Sequence, residues 1–281
     1  MVITQVKSGG IGLRYYQSKP DWDETGRLRH IGLARGEVAP AVLMPGDPGR
    51  CEAMQRLFAA PHFVGQRGAF ATYTGETSGG APISVMSSGM GCMNVSLALE
   101  ELSHLGVDTV IRVGTGGAVQ LPFSPGTLVI ATGCVRGEGA SQEYLPPEFP
   151  AVADYRVVSA LRRACRELEE EPVVGLYRSH DCFYMESPGA HPGLFERIQI
   201  WRDTNVQLLE NESGTLFSLG HLLGIKTGSI CIAMGSLFDE HREEALAAAA
   251  QKDPQWLQRR VEVATRASMR AVELLREGEG E

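Results

Sequence analysis

The chain has 281 residues, 43% of them hydrophobic and 21% charged, with a formal net charge of −8. That length suits one substantial α/β core, and no apolar run approaches the roughly 20 residues of a membrane-spanning helix. The acidic balance, without a basic block, argues against nucleic acid as a partner, though a local cluster of donors can still hold a small anion.

Residues 1–29 show no periodicity and read as an N-terminal extension, partly ordered at best; residues 30–281 read as a single domain. There is no apolar leader, and the six cysteines are scattered with no C-x-x-C pair. The expectation is a reduced, cytoplasmic protein without a disulfide framework or zinc site.

Apolar runs bounded by Gly and Pro predict strands over Ala41–Met44, Ile83–Ser87, Thr109–Val113, Leu128–Thr132, Val173–Tyr177, Val206–Leu209 and Ser229–Ala233. Between them, Val95, Ala98, Leu99, Leu102 and Leu105 fall on one face of a helix that Asn94 is placed to cap. Helices are also predicted over Ala153–Leu168 and Ser213–Leu223, and a long amphipathic one carries Leu257, Val261, Ala264, Ala271 and Leu275 before an EGEGE tail. Strand–helix alternation predicts a mixed, mostly parallel sheet flanked by helices, with ligands at the carboxyl ends of its strands.

Chemistry-bearing residues concentrate in three places. Pro45-Gly46-Asp47-Pro48-Gly49-Arg50 follows a strand and precedes a predicted helix. It is either an anion pocket of backbone amides with Arg50 added, or a plain turn with a solvated arginine. Arg112 interrupts the apolar strand that leads into Gly114-Thr115-Gly116-Gly117. A charge there needs a partner, because an unpaired buried ion costs several kcal/mol, about 3–5. A dinucleotide fingerprint is disfavoured because Val119 stands where its last glycine belongs. Finally, Leu209-Glu210-Asn211-Glu212-Ser213 runs from a strand into a helix. Its two carboxylates, at i and i+2, can accept from vicinal hydroxyls or can be solvated acids at a helix start. No metal-hydrolase or serine-hydrolase motif accompanies them.

Together with Gly89-Met90-Gly91, Glu100-Glu101-Leu102 and Phe149-Pro150-Ala151-Val152-Ala153-Asp154, these stretches resemble the nucleoside phosphorylase-I family, most closely its uridine phosphorylase branch. Any one of them is common; all of them in register are not. The resemblance implies a partly closed, barrel-like sheet and phosphorolysis of a nucleoside to ribose 1-phosphate and free base. Inorganic phosphate is then a co-substrate and no further cofactor or metal is implied. It makes Gly46, Arg50, Arg112 and Thr115 the phosphate site, with Arg67 similar to an arginine lent by a neighbouring subunit. It assigns Glu212 to the ribose hydroxyls and to catalysis with Arg112, helped by Glu210 and Asn211. His30 resembles a histidine that a neighbour places at the ribose 5′-hydroxyl, and Phe183 the aromatic that packs on the base. Borrowed residues imply a homo-oligomer built from dimers, such as a hexamer, with shared active sites.

The base end departs from that pattern. Ser187 and Gly189 stand where the branch has a Gln and an Arg for the uracil edge, Met234 stands where a further arginine is expected, and Asn211 replaces a methionine. The acid with which the purine branch protonates its base is missing as well. A site that hydrogen-bonds a polar edge discriminates by about 10⁴–10⁵, an apolar one far less. Either base tolerance is broad or other residues, such as Glu186 or Ser187, do the reading. A nucleosidase using water, or a silent nucleoside-binding oligomer, remain as rivals.

Overall fold

The structure is a computed structural model that describes residues 18–187 and 193–278. Ten strands, β1 (Ala41–Met44), β2 (Ala59–Arg67), β3 (Phe70–Glu76), β4 (Pro82–Met86), β5 (Thr109–Ala118), β6 (Leu128–Gly137), β7 (Ala151–Val152), β8 (Val173–His180), β9 (Val206–Glu210) and β10 (Lys226–Ser236), form one sheet. Its central part curls into a ring, because β10 pairs in parallel with β5 and antiparallel with β6. The ring closes through β6–β8, β8–β9 and β9–β5 pairings. From β5 the sheet continues outward through β1, β4, β3 and β2.

Each strand anticipated from its apolar run is present, but β5, β6, β8 and β10 extend beyond it. For β5 the reason is close approach. Gly116 lies so near β9 that a Cβ would collide with the Leu209 carbonyl, so what reads as a glycine loop is strand that closes the ring. Strands β2 and β3 were not anticipated: β2 exposes most of its residues and shows no apolar alternation.

Helices cover both faces. On one side α2 (Cys92–Ser103) and α6 (Ser213–Leu223) pack with Leu99, Leu102, Leu216 and Phe217 at the centre. On the other lie α1 (Pro48–Gln55), α4 (Tyr155–Glu167) and α8 (Trp256–Gly278), with Leu161, Ala264 and Val272 against Ile111 and Ile230. Fully burying one such aliphatic side chain contributes about 1.5–3 kcal/mol. Short α3 (Ala140–Tyr144), α5 (Leu194–Asp203) and α7 (Arg242–Lys252) complete the set. Helix α2 begins at Cys92 with Gly91, at φ 91°, in the cap position; Asn94 lies within the first turn and its Nδ2 donates back to the Met90 carbonyl.

Residues 18–29 are drawn into this core. Leu28 is fully buried among the apolar side chains of the α2 face, and Trp22 bridges to Leu28 across a small turn.

Candidate active site

The carboxyl ends of β1, β5, β8, β9 and β10 and the loops after them surround a cleft with two adjoining lobes. One, of about 480 Å³, is lined by Gly46, Arg50, Gly89, Met90, Arg112, Thr115, Phe183, Asn211 and Glu212, among others. The other, about 220 Å³, shares Thr115, Phe183 and Asn211 and adds His180, Glu186, Ser187, Met234 and Arg242.

Three sequence-distant elements build the larger lobe. After β1, Asp47 caps α1 by accepting from the Gly49 amide, which places Arg50 on the first turn. Arg50 Nη2 reaches Thr115 Oγ1 on β5 at 3.5 Å. Arg112, also on β5, donates from Nε to Glu210 Oε2 at 2.9 Å and pairs through Nη2 with Glu212. Its Nη1 is buried and has no hydrogen-bond partner among the described residues.

The charges are strongly perturbed. Burial alone would pull the Arg112 guanidinium down, but the carboxylates of Glu212 and Glu210 more than reverse this, so it stays a cation. Burial, then repulsion from Arg112, loosens the hold of Arg50 on its proton. Two guanidiniums converging in this way, with one donor unused, form a binding place for an oxyanion.

Glu210 accepts from Arg112 Nε, the Ser179 hydroxyl and the amides of Glu212 and Ser213 at the start of α6. Glu210 thus positions Arg112 and holds the amides at the start of α6, and it lines the smaller lobe, whereas Glu212 lines the larger. Glu212 differs. One oxygen accepts from the Gly91 amide at 2.7 Å, the other from Asn211 N at 3.2 Å and from Arg112, and the side chain faces the larger lobe. Burial raises its pKa, against the pull of Arg112, and the charge of Glu210 adds to the rise. The Asn211 amide donates to the His180 carbonyl, tying β9 to β8.

The family model of the phosphorylase superfamily matches residues 40–276. The chain belongs to the phosphorylase superfamily. Among the relatives, the uridine phosphorylase of Treponema pallidum is 41% identical over 211 residues, 74% of this chain and 81% of that protein. The guanosine phosphorylase of Halorubrum lacusprofundi is 35% identical over 208 residues, 74% and 83% of the two chains. A crystal structure of uridine phosphorylase from Vibrio fischeri superimposes with a TM-score of 0.79 over 89% of this chain and 99% of that one, at 24% identity.

Of the residues singled out in the sequence, Gly46, Arg50, Arg112, Thr115, Glu212, Asn211 and Phe183 gather at one lobe, and Ser187 and Met234 at the other. His30 and Arg67 line neither. The His30 ring pairs with Glu101 at 2.8 Å, while Arg67 binds Asp23 at 3.0 Å and the Arg29 carbonyl at 2.8 Å. Gly189 lies outside the described residues.

Two arginines at the smaller lobe, Arg178 and Arg242, were not anticipated. Arg178, on β8, pairs with Glu186 at 2.6 Å, both side chains more than nine-tenths buried, and stacks on Trp201 of α5 at 4.2 Å. Gly137, at the end of β6, is what admits it, since a Cβ there would overlap the Arg178 guanidinium. Arg242, the first residue of α7, reaches back to the Met234 carbonyl at 2.8 Å. An unpaired basic residue inside the β8 pattern is the one signal that was available. No group of His, Cys, Asp and Glu suited to a metal occurs among the described residues, and no described helix is long and apolar enough to cross a membrane.

Proposed function

We propose that the chain is a nucleoside phosphorylase, a pentosyltransferase that cleaves a nucleoside with inorganic phosphate to give ribose 1-phosphate and free base. One observation carries this reading: Arg112, fixed by two carboxylates and with Nη1 left without a partner among the described residues, lines the same lobe as Arg50 and Thr115. Superfamily membership, and relatives named uridine and guanosine phosphorylase, support it.

In this reading phosphate lies between Arg50, Arg112, Thr115 and the Gly46 backbone, and the ribose hydroxyls donate to Glu212. Phe183, 60% exposed at the junction of the lobes, packs on the base. As the C1′–N bond lengthens, its electron pair leaves with the base and the sugar gains oxocarbenium character. A phosphate oxygen then forms the new C1′–O bond. Catalysis is mainly positioning plus charge complementarity, an anion held beside a developing cation. A water nucleophile would have no use for two converging guanidiniums.

His30 and Arg67 line neither lobe of their own cleft, so in this reading they serve a neighbour's. The assembly this requires is a homo-oligomer with shared sites. The test is release of base from uridine and inosine with and without inorganic phosphate, with assay of ribose 1-phosphate. Release at the same rate in phosphate-free buffer refutes the reading.

A further inference from the structure

The smaller lobe is where a base attached to a ribose at Glu212 would lie, and its walls carry polar groups that the phosphate and ribose chemistry does not use. Glu186 is 3% exposed. Its Oε1 is taken by Arg178, whereas Oε2 is buried without a hydrogen-bond partner among the described residues. His180 Nδ1, on the same wall, is likewise buried without a partner among them. An unsatisfied buried carboxylate oxygen costs folding free energy and calls for an explanation in terms of what it receives.

The second group is Arg242. Arg242, carried in from α7, lines the lobe beside Met234, anchored through Nε on the Met234 carbonyl and paired through Nη1 with Glu243, which leaves Nη2 to donate. The lobe thus carries a carboxylate acceptor and a guanidinium donor, the complement of a ring N–H next to a carbonyl.

Resting on the phosphorylase reading, we propose that Glu186 and Arg242 are the base-reading residues of this enzyme and that they select lactam bases, those with a ring N–H beside a carbonyl. Glu186 accepts the ring N–H, and Arg242 donates to the neighbouring carbonyl oxygen. Uracil, hypoxanthine and guanine satisfy both. Cytosine and adenine present a ring nitrogen lone pair to the carboxylate and an amino group to the guanidinium, so both contacts turn repulsive. Arg178 is a positioning residue: paired with Glu186 and stacked on Trp201, it holds the carboxylate in place.

The experiment measures kcat/KM for uridine against cytidine and for inosine against adenosine, in the wild type, Glu186→Gln and Arg242→Met, with the KM for phosphate measured alongside. The expected wild-type preference for the lactam partner of each pair is at least about 100-fold, and each variant lowers it about tenfold or more while the phosphate KM stays within about twofold. Comparable rates on both members of a pair, or variants that keep the wild-type ratio, overturn the assignment but leave phosphorolysis standing. Failure of the wild type to cleave any of the four with phosphate refutes the underlying reading instead. Should Glu186→Gln fail to fold, Arg242→Met decides alone, since a preserved ratio there overturns the proposal.

Discussion

Arg112 and Glu210 form an ion pair, Nε to Oε2 at 2.9 Å, with side-chain exposures of only 7% and 1%. Removing one partner of such a pair strands the other charge, at a cost of about 3–5 kcal/mol. Arg112→Met is therefore expected to lower stability on that scale as well as to abolish phosphorolysis. Among the described residues the side-chain hydrogen bond of Arg50 is the long contact to Thr115, so Arg50→Ala should raise the phosphate KM about tenfold or more with a nearly unchanged unfolding midpoint. Denaturant unfolding beside steady-state kinetics separates the two; equal stability losses contradict this division of labour.

The carboxyl group of Glu212 gives a pH prediction. Its pKa is raised, so in the free enzyme it takes up a proton at a higher pH than an ordinary glutamate does. The proton competes with ribose hydroxyls for the same lone pairs. The nucleoside KM should thus rise as pH falls through that elevated pKa, and the phosphate KM should follow it less. Glu212→Gln, which cannot titrate, should flatten the nucleoside profile. A profile unchanged by the substitution would assign the titration to another group.

Gly137 supplies a steric test of the smaller lobe. A methyl group there displaces the Arg178 guanidinium, and with it the hold on Glu186. Gly137→Ala should cost about 1–3 kcal/mol, typical of overpacking. It should also erode base discrimination while leaving the phosphate KM alone. Ratios of kcat/KM on paired nucleosides read the second effect independently of the first.

Shared sites predict complementation between subunits. At phosphate concentrations far below their raised KM, Arg67→Ala and Arg50→Ala are each expected to show little activity as pure oligomers. Dissociated together and reassembled, they should regain up to about a quarter of wild-type activity, because half the dimers are mixed and each holds one intact site. No recovery on mixing would mean that Arg67 serves no neighbouring cleft.

Leu28 belongs to the core although it precedes His30. Leu28→Ala should cost about 2–5 kcal/mol, as large-to-small changes in packed interiors do. Thermal unfolding checks it, and a loss below about 1 kcal/mol would make residues 18–29 a detachable decoration.

Elements with a buried face on both sides of the sheet were legible in the sequence, Val110 and Ile111 of β5 being the plainest case. Strand β2 was not, since its side chains are mostly solvated and its order comes from hydrogen bonds to β3. Helix α7 has no buried residue to set a period. Within the site, Arg112 declared itself because a cation in an apolar strand demands partners. Arg178 makes the same demand, but its answer, Glu186, lies past a chain reversal and in no helical or strand register with it. Arg242 gave no signal at all, for only the fold carries it back to Met234. Glu210 and Glu212 looked equivalent on an extended chain, and the end of β9 at Glu210, with Glu212 at the cap of α6, is what divides their work.

Five of the six cysteines are buried, and loss of hydration pushes the thiols of Cys51 and Cys165 up to about 12, whereas Cys182 is exposed and directly precedes Phe183. A maleimide fluorophore should consequently attach at one site in the unsubstituted chain, since thiolate character and access govern such labelling. Placed at the junction of the lobes, the dye turns cleft occupancy into an optical signal, by which ligand arrival can be timed separately from turnover.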